Sequence, residues 1–145
     1  MVRNSIRTII CLIILFSGID LYAGAGTALR FNGTNSFVNF PATSSINPFP
    51  LTVSTWFRSQ NTSGSLQVIA SKYIDSSYNG WALLMQGGAL RGFYYRNGIT
   101  TNHAIDAASA IPVNDGKWHH AALVIDATGG RLYLDGNLVN ASAWN

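Results

Sequence analysis

The segment Lys72-Tyr73-Ile74-Asp75-Ser76-Ser77-Tyr78-Asn79-Gly80-Trp81 holds the densest set of groups able to bind something. It offers a carboxylate at Asp75, an amide at Asn79, hydroxyls, and the aromatic faces of tyrosine and tryptophan. Oxygen-rich loops suit calcium, and aromatic faces suit pyranose rings. Asp75 and Asn79 are therefore the candidate calcium ligands, and Tyr78 and Asn79 the candidate sugar contacts. An ordinary polar turn has the same composition. A third candidate contact is Trp56, whose position in its strand is argued below.

Other chemistry is poorly supplied. The sequence has no glutamate, and its aspartates past the first 25 residues (Asp75, Asp106, Asp115, Asp126 and Asp135) form no close pair on one strand face. Glycoside hydrolysis needs two carboxylates facing each other across a bond, so no catalytic residue is assigned. His119 and His120 are adjacent, and neighbours on a strand point to opposite faces, so they cannot chelate one ion. No Gly-x-Ser-x-Gly elbow presents a serine nucleophile. Gly87-Gly88 and Gly129-Gly130 read as turns, not as phosphate cradles.

The elements that must position these groups are strands. Apolar runs are short and bounded by Gly, Asn, Asp, Ser or Pro, which predicts an antiparallel sandwich. The runs are Ala28 to Phe31, Ser36 to Phe40, Leu51 to Arg58, Leu66 to Lys72 and Trp81 to Gln86. Leu90 to Arg96, Trp118 to Ile125, Arg131 to Asp135 and Leu138 to Val139 complete them. No window keeps a helical period. Alternation puts Leu66, Val68 and Ala70 on one side, and turns Leu132 and Leu134 inward from Arg131 and Asp135. Trp118 to Ile125 is apolar on both sides in its second half, which predicts a central strand covered on both faces, or at least heavily shielded. Trp56 shares its parity with Thr52, Ser54 and Arg58. It is either a sugar-stacking platform or a ring that another element covers, and covered rings are the commoner case.

Composition narrows the class. The 145 residues are 48% hydrophobic and only 10% charged, against roughly 25% in ordinary soluble domains. A formal charge of +3 invites a nucleic-acid reading, but the basic residues are scattered singly and form no phosphate-tracking cluster. Residues 1–25 have the marks of a secretory signal peptide. Arg3 and Arg7 precede the apolar run Ile9 to Phe16, and Ala23-Gly24-Ala25 supplies small residues for cleavage. The apolar run is too short to span a bilayer. The sole cysteine, Cys11, lies within it, so residues 26–145 contain no disulfide or thiolate site. The expected location is secreted, periplasmic or on the cell surface.

The stretch Asp115-Gly116-Lys117-Trp118-His119-His120, the hairpin signal Asp135-Gly136, and the upstream Ala28-Leu29-Arg30-Phe31-Asn32-Gly33 and Thr52-Val53-Ser54-Thr55-Trp56-Phe57 together resemble the laminin-G-like domains of the concanavalin A-like lectin and glucanase group. The resemblance implies an all-β fold, an antiparallel two-sheet jelly-roll sandwich, over residues 26–145. It also implies further strands beyond Asn145, so the domain reads as incomplete at its C-terminus. In related pentraxin-type domains an Asp-Asn pair in the corresponding loop contributes to a calcium site, whose remaining ligands come from the C-terminal part of the domain. Asp75 matches in type and place, whereas Ser76 stands next to it and Asn79 comes later.

The function expected from the resemblance is a non-catalytic secreted module that recognises carbohydrate or an extracellular protein surface, as part of a larger surface protein. Two alternatives stand beside it. One is the N-terminal part of a lectin-fold hydrolase whose carboxylates lie beyond this chain, and the other is a structural or adhesion spacer.

Overall fold

The computed structural model describes residues 27–40, 49–73, 78–95, 103–106 (backbone) and 111–143. The expected signal peptide at residues 1–25 and the candidate ligand Asp75 lie outside them. Two units are distinguished, Met1–Phe40 and Pro41–Asn145.

The second unit carries eight strands. They are β1 (Leu51–Arg58), β2 (Gln67–Tyr73), β3 (Gly80–Gln86), β4 (Ala89–Tyr95), β5 (His103–Asp106), β6 (Trp118–Asp126), β7 (Gly129–Leu134) and β8 (Asn137–Ala143). One sheet has the order β1-β6-β7-β8 and the other the order β2-β3-β4-β5. Every pairing is antiparallel. The fold is therefore the expected all-β sandwich, and the described residues contain no helix. The chain lays down β1, builds the second sheet as a meander, and returns to pair β6 along β1.

Tight turns fix the register. Asp135 and Gly136 both have positive φ, 50° and 81°, as a two-residue primed hairpin turn between β7 and β8 requires. The core lies between the sheets. Leu51, Ala121, Leu123, Ile125, Leu132 and Leu134 from one sheet meet Trp81, Leu83, Met85, Leu90 and Tyr94 from the other. Gly92 on β4 is where the sheets approach most closely among the described glycines. A Cβ there would stand 3.1 Å from Leu123 and 3.2 Å from Leu132, so the missing side chain makes room for both leucines.

Two expectations are corrected, one is met in its weaker form, and one strand was not expected. The runs Ala28 to Phe31 and Ser36 to Phe40 form no strand. The Asn32 side chain instead accepts the backbone N–H groups of Thr34, Asn35 and Ser36 at 2.9, 3.0 and 3.0 Å, a local arrangement that competes with ladder bonding. Leu66, Val68 and Ala70 do not share a side. The β2 register shifts between Val68 and Ala70, so Val68 is exposed while Ile69 and Ala70 pack against the core. β6 is central, as expected, with its inner face buried and its outer face past Trp118 half-buried, whereas β3 is the strand buried on both faces. Finally, β5 was not anticipated: four residues give too short an alternation to read.

Candidate functional site

The structure separates the sequence-predicted contacts onto opposite faces of the sandwich. Trp56 lies on the outer face of the β1-β6-β7-β8 sheet, since Val53 and Phe57 on the same strand turn toward the core. Tyr78 and Asn79 precede β3 in the other sheet. They do not form one site.

Tyr78 belongs to a ring cluster on the outer face of the second sheet. Its ring centroid is 5.6 Å from that of Tyr95, and Tyr73 is 5.0 Å from Phe93 and 5.5 Å from Tyr95. These side chains stand on β2 and β4 on either side of β3, and together they roof Gly80 and Ala82. That roof explains why β3 is buried on its outer side. Tyr78, 38% exposed, is thus engaged in edge-to-face packing. Asn79 has partners within the protein. Among the described residues no three His, Cys, Asp or Glu side chains gather as metal ligands, and Asp75 lies outside those residues.

Trp56 is different. It is 65% exposed, and its ring lies 5.2 Å from that of His120, its cross-strand partner. Arg58 is paired with Trp118, whose indole is 49% exposed, and the guanidinium carbon lies 5.9 Å from that ring. Trp56 and Trp118 are diagonal neighbours on one face, at a Cα spacing of roughly 7–8 Å. The result is an open aromatic platform carrying one fixed cation. The sequence reading found Trp56 but missed Trp118, His120 and Arg58. Their signal was parity: Trp118 and His120 alternate with the inward His119 and Ala121.

Directly beneath this platform, on the inner face, lies a polar cluster that sequence spacing did not reveal. His119 is only 8% exposed. Its Nδ1 faces Asp135 Oδ2 at 2.8 Å, and its Nε2 faces Asp115 Oδ1 at 3.1 Å. Both carboxylates are acceptors, so the imidazolium is the form that satisfies both contacts. Burial alone lowers the His119 pKa, but the hydrogen bonds to Asp135 and Asp115 outweigh it and hold the pKa above its ordinary value. Asp115 is pulled down to about 2, first by the Lys117 backbone N–H and then by His119. Asp135 is lowered chiefly by its bond to His119. The other Asp135 oxygen accepts the His120 backbone N–H at 2.8 Å, and Asp135 N–H donates to the His120 carbonyl at 2.8 Å.

The cluster does bring two carboxylates from separate turns together, but an imidazole fills the space between them. A glycosidase acid must hold a proton near neutral pH, so its pKa is raised. Both carboxylates here are shifted the other way. Their arrangement ties β6 to two turns.

Two four-stranded antiparallel sheets packed over one core define a β-sandwich domain. The chain matches the Laminin_G_3 family model, described as the concanavalin A-like lectin/glucanases superfamily, over residues 32–144, and it belongs to that family. No curated protein matches the chain closely enough to be compared with it.

Proposed function

We propose that this protein is a non-catalytic, exported recognition module that binds carbohydrate on the platform of Trp56 and Trp118, as one part of a larger surface protein. The single observation that carries the proposal is the 65% exposure of Trp56 beside a second exposed indole on a rigid strand pair. An isolated exposed Trp is unremarkable, but two on one sheet face present flat apolar surface of the kind on which sugar rings stack. Membership of a lectin and glucanase superfamily supports the ligand class, and the leader-like residues 1–25 support export. Against hydrolysis stand the absence of glutamate from the sequence and the lowered pKa values of Asp115 and Asp135.

The test is a glycan screen on the full chain, followed by titration of Trp56→Ala against the best ligand. The substitution is expected to weaken binding by about tenfold to a hundredfold, as loss of a stacking anchor does, with the unfolding midpoint within a few degrees of the parent. Binding that survives in Trp56→Ala moves the ligand elsewhere. Retention of a protein partner, with no glycan bound, replaces the saccharide reading with a protein-docking one.

Calcium at the Asp75 and Asn79 loop is a separate proposal. Thermal unfolding with calcium and with chelator checks it. A midpoint raised by calcium, and no longer raised in Asp75→Ala, places the ion there. Identical midpoints remove calcium from the account.

A further inference from the structure

The cations of the sandwich are not equivalent. Lys117 pairs with Asp115 at 3.3 Å, Arg131 with Asp126, and Arg91 with Gln86. Lys72 also has a partner within the protein. Arg58 meets neither a carboxylate nor an amide among the described residues, and its guanidinium instead lies over the Trp118 ring. The guanidinium carbon lies 5.9 Å from the Trp118 ring centroid, and Arg58 is an exposed residue. Arg58 follows Trp56 by two residues on the same face, so its fork reaches the edge of whatever stacks on that indole.

The surrounding charges favour an anion. Asp126 lies at the opposite end of the strand pair, next to the Leu51 and Ile125 rung, and is neutralised by Arg131. Asp115 and Asp135 lie at the near end, but both are engaged by His119, and Asp115 also by Lys117. Among the described residues, no unneutralised carboxylate at this end repels an incoming one. A guanidinium matches a carboxylate with two parallel hydrogen bonds, a geometry that an ammonium cannot reproduce.

We propose that Arg58 makes the Trp56 and Trp118 platform selective for saccharides that carry a carboxylate, that is, for uronic-acid glycans. One sugar ring stacks on Trp56 while the carboxylate of that ring or its neighbour accepts from the Arg58 fork. The proposal rests on the saccharide reading of the same face.

The experiment compares matched ligands. Oligogalacturonate, oligomannuronate and oligoglucuronate are each titrated into the full chain beside their methyl esters, at one fixed ionic strength. The ester keeps the sugar rings and removes the charge. The parent is expected to bind the preferred acid about fivefold more tightly than its ester, at the upper end of what one exposed ion pair with bidentate geometry contributes. In Arg58→Gln that margin falls below about threefold while ester affinity stays the same, and Arg58→Lys recovers only part of it. Equal affinity for acid and ester, or a margin that survives in Arg58→Gln, overturns the selectivity and leaves the saccharide platform standing. Failure of the folded protein to bind any of the acids or esters overturns the uronate selectivity, and failure to bind any glycan in the wider screen overturns the saccharide platform with it.

Discussion

Replacing His119 with alanine is expected to destabilise the domain by roughly 2–3 kcal/mol near pH 5.5, a fall in midpoint on the order of 10 °C. The ring makes two charge-assisted hydrogen bonds from a nearly buried position. Removing one member of a fully buried pair costs about 3–5 kcal/mol, because the remaining charge is stranded. Here the carboxylates are partly open, with side-chain exposures of 30% for Asp115 and 45% for Asp135. Water can therefore recover part of what the imidazolium supplied, and the lower end applies. A shift below about 1 kcal/mol would reduce the cluster to an ornament of the surface.

The same cluster sets the pH dependence. The His119 pKa is raised on folding, so its contribution is fully present below its ordinary value of 6.5 and is lost as pH rises through the higher folded value. The aspartates behave in the opposite sense. Their contributions are present above the ordinary 3.8 and disappear as pH falls, for Asp115 toward about 2. The unfolding midpoint is therefore expected to be highest between 3.8 and 6.5, and to decline on both sides. Thermal melts from pH 3 to pH 9 check this. In His119→Gln the alkaline decline should vanish, and a decline that persists there assigns it to another group.

These effects depend on contacts that the sequence showed only in part. The Asp135-Gly136 turn and the alternation of Arg131 to Asp135 identified a hairpin and its inward leucines, and β1 was readable to the residue. The parity of Trp56 was readable too, because a half-buried strand repeats every second residue. What parity does not show is which strand lies alongside. Trp118 and Arg58 become neighbours only when β1 pairs with β6, after the chain has passed through the other sheet. Likewise Asp115 and Asp135 read as turn residues, and nothing local says that both point at one imidazole. The register Ala121 to Leu134 is what carries Asp135 to the level of His120. The strands expected near residues 28–40 failed for a related reason, since alternation marks a segment able to pair but does not supply its partner. The bulge in β2 reversed a parity that no residue type announced.

The second large effect is expected at Gly80, where β3 begins beside the candidate loop. Its φ is 116°, and a Cβ there would lie 1.8 Å from the Lys72 carbonyl oxygen and 3.1 Å from the Tyr73 Cα. Neither obstacle is the end of a flexible side chain, so the β2 and β3 backbones must separate at the rung joining Tyr73 to Gly80. Opening that rung also disturbs the ring cluster, because Tyr73 and Tyr95 meet over Gly80 from the two flanking strands. Gly80→Ala is therefore expected to cost at least about 3 kcal/mol, combining backbone strain with loss of ladder and ring contacts. Gly87 provides the control. It too has positive φ, 58°, but nothing lies within 4 Å of its Cβ position, so Gly87→Ala should cost only about 1 kcal/mol of conformational strain. Denaturant titration of both variants separates the terms. Similar losses would mean that strain alone is being measured and that the Lys72 carbonyl yields freely. A clearly larger loss at Gly80 would show that close backbone approach, with no side chain in the way, is what holds the Tyr78 and Asn79 segment against the sheet.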